Sequence, residues 1–179
     1  MAFKDIPPRE SGSGRVHVLI DTPSGSRNKY KYDERFEVLR LSRVLPRGAA
    51  FPYDFGSIPG TSAEDGDALD VLVLQLPPSF PGCLVTVRLI GVLQAEQREG
   101  GRSIRNDRLI GVADTPVNPA RLKELSAIDE DELRAIEHFL RSYNAFQGRD
   151  FEIKSRGDSR EATRILDSAI EAHSARGAR

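Results

Sequence analysis

Apolar residues recur along this chain at two different periods. Val16, Val18 and Ile20 alternate with Arg15, His17 and Leu19 before Pro23-Ser24-Gly25 ends the run, the pattern of a strand followed by a turn. Residues 36–41, 70–76, 83–93 and 108–113 also read as strands, with Pro or Gly between most of them. Beyond residue 129 the period lengthens. Asp129 with Glu132 three positions later makes a helix start, and Leu133, Ile136, Leu140 and Tyr143 follow at three- and four-residue steps. A second start, Asp158 with Glu161, introduces Ile165, Leu166, Ala169 and Ile170 before Gly177. Several short strands at irregular spacing, then two amphipathic helices, favour a barrel or sandwich with helices packed on it over alternating strand–helix units. Residues 1–14 mix Pro, Gly, Ser and charge and are expected to form a flexible N-terminal segment, with 15–179 a single domain.

Composition narrows the function classes. The apolar set is 39% of 179 residues, and 15 glycines bring it into the ordinary globular range of ~45–50%. Twenty-six basic residues against 27 acidic ones leave a net charge of -1, without the basic surplus of a nucleic-acid binder; 8 Phe, 4 Tyr and no Trp offer no evident stacking platform. One cysteine makes no intramolecular disulfide, and the longest strongly apolar run, Val71-Leu72-Val73-Leu74, is far short of the ~20 residues that span a bilayer. The expectation is a cytoplasmic protein with no nucleic-acid or membrane partner. His17, His138 and His173 are too scattered to share a metal, and Cys83 reads as a small core residue.

The densest chemistry lies in Glu64-Asp65-Gly66-Asp67-Ala68-Leu69-Asp70, directly before an apolar strand. Three Asp within six residues, with Gly to let the backbone turn tightly, either form an ordinary Asp- and Gly-rich turn or aim carboxylates at a hard divalent cation. An EF-hand does not fit. Counted from Asp65, Asp70 stands at position six, where Gly is required, and Leu76 at twelve, where Glu is required. The remaining cation is Mg²⁺, held by a few carboxylates and by substrate phosphate oxygens, which also calls for fixed cations such as Lys29, Arg43 and Arg108.

Gly25-Ser26-Arg27-Asn28-Lys29-Tyr30, Arg43-Val44-Leu45, residues 51–61 (FPYDFGSIPGT), residues 64–74 (EDGDALDVLVL) and Phe80-Pro81-Gly82-Cys83 occur in the order and spacing of the family I soluble inorganic pyrophosphatases, which this chain resembles from about residue 15 to 150. The resemblance implies a five-stranded OB-like β-barrel with about two packed helices, Mg²⁺-dependent cleavage of pyrophosphate to two phosphates, and a hexamer. It implies Asp65 and Asp70 as metal ligands, with Asp67 accepting a proton from the attacking water. Lys29, Arg43 and Tyr143 match phosphate-holding positions, and Asp21 stands where the family has a Glu.

Several positions depart from that pattern. Lys31 replaces a Glu, Phe55 a Tyr hydroxyl, and Asn144 a Lys. In the loop after Gly91-Val92-Leu93, Gln97 and Asn106 occupy two Asp positions and Arg108 that of a Lys, with about four extra residues between. Relative to the family, the site gains about three positive charges, and each missing carboxylate weakens attraction to Mg²⁺ by several kcal/mol at an effective dielectric of ~20. Loop register stays open: Asn106 stands at the metal position, while a slide would bring Asp107, Glu96 or Glu99 there instead. The leading reading is a Mg²⁺-dependent pyrophosphatase, impaired or redirected by these changes. The alternative is a catalytically weak or inactive phosphate- or nucleotide-binding relative.

Overall fold

A computed structural model describes residues 3–33, 35–74, 77–115 and 121–177. Among these residues nine strands and two α-helices follow in the order β1 (Val16–Thr22), β2 (Asn28–Asp33), β3 (Val38–Val44), β4 (Asp54–Ser57), β5 (Asp70–Leu74), β6 (Leu84–Glu99), β7 (Arg102–Arg105), β8 (Arg108–Ala113), α1 (Glu130–Ala145), β9 (Asp150–Gly157) and α2 (Ser159–Gly177). Gln75 and Leu76, expected in the strand from residue 70, lie outside the described residues.

Five strands close into a ring. β1 pairs β4, β4 pairs β5, β5 runs parallel to β8, β8 pairs β6, and β6 returns to β1. The ring is the OB-like arrangement expected, although less regular than a simple barrel: β7 and β9 extend it along the second half of β6, and β2 and β3 form a separate two-stranded hairpin. The sequence reading missed β2, β4, β7 and β9, and it ended β6 at residue 93 where the strand runs to Glu99.

Alternation within the ring explains why its strands are apolar almost throughout. Val71 and Val73 of β5 and Leu109 and Ala113 of β8 enter one core, which Ala162, Leu166 and Ala169 of α2 cover. Leu72, Leu74, Ile110 and Val112 enter the other, against Leu133, Ile136, Leu140 and Tyr143 of α1. Both faces are therefore buried, and a run such as Val71-Leu72-Val73-Leu74 needs no polar side. Each helix starts where its cap predicts. The Asp129 carboxylate accepts from the amides of Asp131 and Glu132, and that of Asp158 from the amide of Glu161 at 2.8 Å.

The N-terminal lead-in, expected to be flexible, runs along β1: the His17 amide donates to the Pro8 carbonyl at 3.0 Å, and Arg9 bridges Val16. Among the described residues no helix is long and apolar enough to cross a membrane.

Gly91 sits where β6 shifts register against β8. A Cβ there would stand 2.7 Å from the Gly157 carbonyl oxygen and 2.7 Å from Leu125 Cβ. Gly91→Ala should therefore cost about 1–3 kcal/mol, read as a lower urea midpoint at unchanged slope.

Candidate active site

The ring, the β2–β3 hairpin and both helices enclose a cavity of about 640 Å³. Asp21 enters it from the end of β1, Lys29 and Lys31 from β2, Arg43 from β3, Asp70 from the start of β5, Arg108 from β8 and Tyr143 from α1, with Asp65 and Asp67 on the loop before β5. Strand geometry sets much of this. Lys29 and Lys31, two apart on β2, share a face, and the hairpin register sets Arg43 opposite Lys29. The parallel register that sets Val71 beside Leu109 brings Asp70 and Arg108 together at the preceding positions.

Three of the four carboxylates already touch a cation. Lys29 Nζ lies 2.7 Å from Asp21 Oδ1, and the pair is almost fully buried. Burial pushes the Asp21 carboxyl above its ordinary value against the pull of the Lys29 ammonium. Burial also works against the charge on Lys29, yet Asp21, Asp70 and Tyr143 hold its pKa above the ordinary value. The Lys29 ammonium stands 4.1 Å from the centre of the Phe55 ring, so the residue that lacks a Tyr hydroxyl supports a cation with its aromatic face. Lys31 Nζ donates to both oxygens of Asp67 at 2.7 Å, and Arg108 Nη1 lies 3.1 Å from Asp70 Oδ2.

Asp65 makes no ion pair among the described residues. Its Oδ1 accepts from the Asp67 amide at 3.0 Å. Burial pushes its carboxyl up; the Asp67 amide opposes that shift, and the neighbouring carboxylates of Asp67 and Asp70 add to it. A divalent cation arriving at Asp65 would meet a carboxylate free of competing ammonium or guanidinium contact, a suitable hard donor.

The substituted loop positions form one connected chain. Asn106 Nδ2 donates to Gln97 Oε1 at 2.8 Å, Arg108 Nη1 donates to Asn106 Oδ1, and the same guanidinium reaches Asp70. Arg108 is buried, and its Nε has no hydrogen-bond partner. Asn106 faces the cavity, and Asp107, the adjacent residue, does not. Asp107 accepts from the Ala95 amide at 3.0 Å and from Arg105 Nε at 2.7 Å, and it lines a second cleft beside α2. Neither Glu96, which pairs with Lys154, nor Glu99, which pairs with Arg149, lines the cavity. In this structure the loop turns Asn106, and not Asp107, Glu96 or Glu99, toward the cavity, and Asp21, also read from sequence as a metal ligand, has its Oδ1 held by Lys29 at 2.7 Å and by the Thr22 hydroxyl at 2.8 Å. Among the described residues no three His, Cys, Asp or Glu side chains converge closely enough to hold a metal by themselves.

Sequence reasoning missed the end of α2. His173 and Arg176 line the cavity, and Arg176 Nη1 donates to Ser62 Oγ at 2.5 Å and to the Gly66 carbonyl at 3.4 Å. Nothing in the amphipathic pattern of that helix marks those residues. Asn144 is buried, with its amide donating to the Leu140 carbonyl at 2.8 Å, so it serves the end of α1.

The inorganic pyrophosphatase family profile matches residues 18–174, nearly the whole ring and both helices. The chain belongs to the inorganic pyrophosphatase family. The inorganic pyrophosphatase of Nostoc sp. is 34% identical over 166 residues, 93% of this chain and 96% of that one. That of Thermus thermophilus is 37% identical over 147 residues, 82% of each chain. The crystal structure of the Thermus thermophilus enzyme superposes with a TM-score of 0.87 at 32% identity, over 97% of this chain and 99% of that one. A Neisseria gonorrhoeae inorganic pyrophosphatase superposes at 0.85 and 28% identity, over 96% and 99%. The motifs that resembled this family are thus embedded in its fold, and the altered positions lie within a conventional framework.

Asp107→Ala should remove the acceptor of a buried amide, costing about 1–3 kcal/mol in denaturant unfolding. Manganese binding, followed by electron paramagnetic resonance, should stay as in the unaltered protein. Weaker binding would return Asp107 to the metal ligands.

Proposed function

We propose that this protein hydrolyses inorganic pyrophosphate to two phosphates in a Mg²⁺-dependent reaction. The observation that carries the reading is the convergence of Asp65, Asp67 and Asp70 with Lys29, Arg43, Arg108 and Tyr143 on one cavity, in a chain of this family. The donor set suits a hard cation: Asp65, which meets no cationic side chain among the described residues, together with Asp70, Asp21 and the side-chain carbonyl of Asn106, which the divalent ion would draw from Arg108 and Lys29, would hold it. When bound, Mg²⁺ lowers the pKa of water and offsets charge on the phosphates.

The chain's own residues do the rest. Lys29, kept charged by Asp21 and Asp70, presents a fixed cation to a phosphate, with Arg43 opposite it across the hairpin. Arg108 lines the same cavity and offers a planar guanidinium fork to a phosphate oxygen. The Tyr143 ring, packed between Phe51 and Phe139, aims its hydroxyl from a rigid base. Asp67, on an exposed loop, accepts a proton from water as the water oxygen bonds to phosphorus and the bridging oxygen leaves with the second phosphate. Association into a hexamer and a cytoplasmic location, both implied by the resemblance, belong to the same proposal. Light scattering that returned only the 19.8 kDa of one chain would sink the hexamer.

Phosphate release from pyrophosphate should require Mg²⁺, cease with chelator, and fall by about 10²-fold or more in Asp67→Asn. Release by the unaltered protein no faster than by that variant would overturn the reading.

A further inference from the structure

The hairpin that carries Lys29, Lys31 and Arg43 to the cavity is a two-stranded sheet of its own. Two strands alone are marginally stable in water, so the position of those cations depends on what ties the hairpin to the ring. Its base is tied through backbone groups: the Phe51 amide donates to the Ser26 carbonyl at 3.0 Å, and the Tyr30 amide to the Thr22 hydroxyl at 3.2 Å. Its outer half, where Lys31 to Asp33 pair with Val38 to Arg40, is reached by side chains. Lys31 meets Asp67 there in a solvated ion pair whose side chains are 58% and 56% exposed, and such a pair holds its partners loosely. Tyr32, the next residue, packs edge-to-face on Phe3, with ring centroids 5.0 Å apart and an interplanar angle of 74°.

The segment behind Phe3 is fixed at successive points. Pro7 and Pro8 restrict its backbone to an extended path. His17 Nδ1 donates to the Pro7 carbonyl at 2.7 Å, the His17 amide donates to the Pro8 carbonyl at 3.0 Å, and Arg9 pairs with Asp167 of α2. Pro8 also lies over Gly60, where a Cβ would stand 3.3 Å from Pro8 Cδ. Gly60, Tyr32 and Phe3 all line the cavity. The segment thus passes from α2 and β1, across the turn at Gly60, to the outer half of the hairpin, and Phe3 is its contact with β2.

We propose that Phe3 is a positioning residue for the substrate: packed on Tyr32 and backed by Pro7, Pro8 and Arg9, it holds the outer half of the β2–β3 hairpin against the ring, so that Lys29, Lys31 and Arg43 stand at a fixed spacing when a diphosphate enters with its divalent cation. The proposal rests on the reading of this cavity as the pyrophosphatase site. Phe3 acts through the hairpin and takes no part in the chemistry. Its contribution is preorganisation, since cations on a hairpin already held in place lose less conformational freedom when the anion binds.

Hydrogen exchange read by mass spectrometry, and calorimetry with methylenediphosphonate and Mg²⁺, test this in the full chain. In Phe3→Ala the amides of residues 30–33 and 38–41 should exchange about fivefold faster while those of β5 and β8 keep their rates, and methylenediphosphonate should bind about fivefold more weakly, in line with the loss of one edge-to-face pair. Phe3→Tyr, which keeps the ring, should retain both the slow exchange and the affinity. In turnover the change in Phe3→Ala should fall on KM for pyrophosphate, with kcat within about twofold, the mark of lost binding rather than lost chemistry. Unchanged exchange in the hairpin, faster exchange throughout the ring, or unchanged affinity for the diphosphonate would each overturn the proposal. Failure of the proposed activity reads differently: the unaltered protein would then release no phosphate with Mg²⁺, while the exchange and binding comparisons still decide the role of Phe3.

Discussion

Strand β6 is the constraint on which the remainder of the molecule depends. Its sixteen residues hydrogen-bond in turn to β1, β8, β9 and β7, so a single segment closes the ring and carries the sheet beyond it. No straight strand satisfies all four partners. The register shifts at Gly91 against β8 and again between Gln94 and Ala95 against β9, and the bend lets both faces stay covered by helices. β8 takes its place from β6, β5 takes its place from β8, and Asp70 meets Arg108 because of that sequence of pairings.

The same pairing makes the substituted loop residues interdependent. Asparagine and glutamine at two positions would each be a lost acid if considered singly. Together they form a hydrogen-bonded chain, Gln97 to Asn106 to Arg108, that ends on Asp70. Restoring one carboxylate at Asn106 would bring a negative charge against Arg108 and compete with Asp70 for it. The electrostatics of the cavity are thus distributed over a network, and its members are coupled as contacting residues are.

Elements with their own local code were legible in the sequence. Asp129 and Asp158 cap the helices they announced, the apolar faces of α1 and α2 are the buried ones, and the acidic motif stands at the mouth of β5. Strands defined by their partners were not legible. β9, with the sequence Asp-Phe-Glu-Ile-Lys-Ser-Arg-Gly, buries only Phe151 fully, and β2 alternates polar and aromatic residues in a half-exposed hairpin, so neither carries an apolar run. The register at 106–108 was equally hidden. Alternation turns Asn106 and Arg108 to the cavity and Asp107 to the opposite side, and only the pairing with Ala95 decides which set faces in.

The acidic loop shows how a site read from a local motif comes to depend on remote chain. Gly66 has a backbone φ of 90°, a left-handed conformation that favours glycine, and this turn sets Asp65 and Asp67 apart along the cavity rim. A turn of that kind on an exposed loop is held only by what grips its backbone. Arg176 grips it at the Gly66 carbonyl and at Ser62, and the Ser62 amide donates to the Ala169 carbonyl of the same helix at 3.0 Å. The helix with the least distinctive sequence therefore fixes the loop with the most distinctive one, and the spacing of the carboxylates is a property of packing between α2 and the ring rather than of the motif alone.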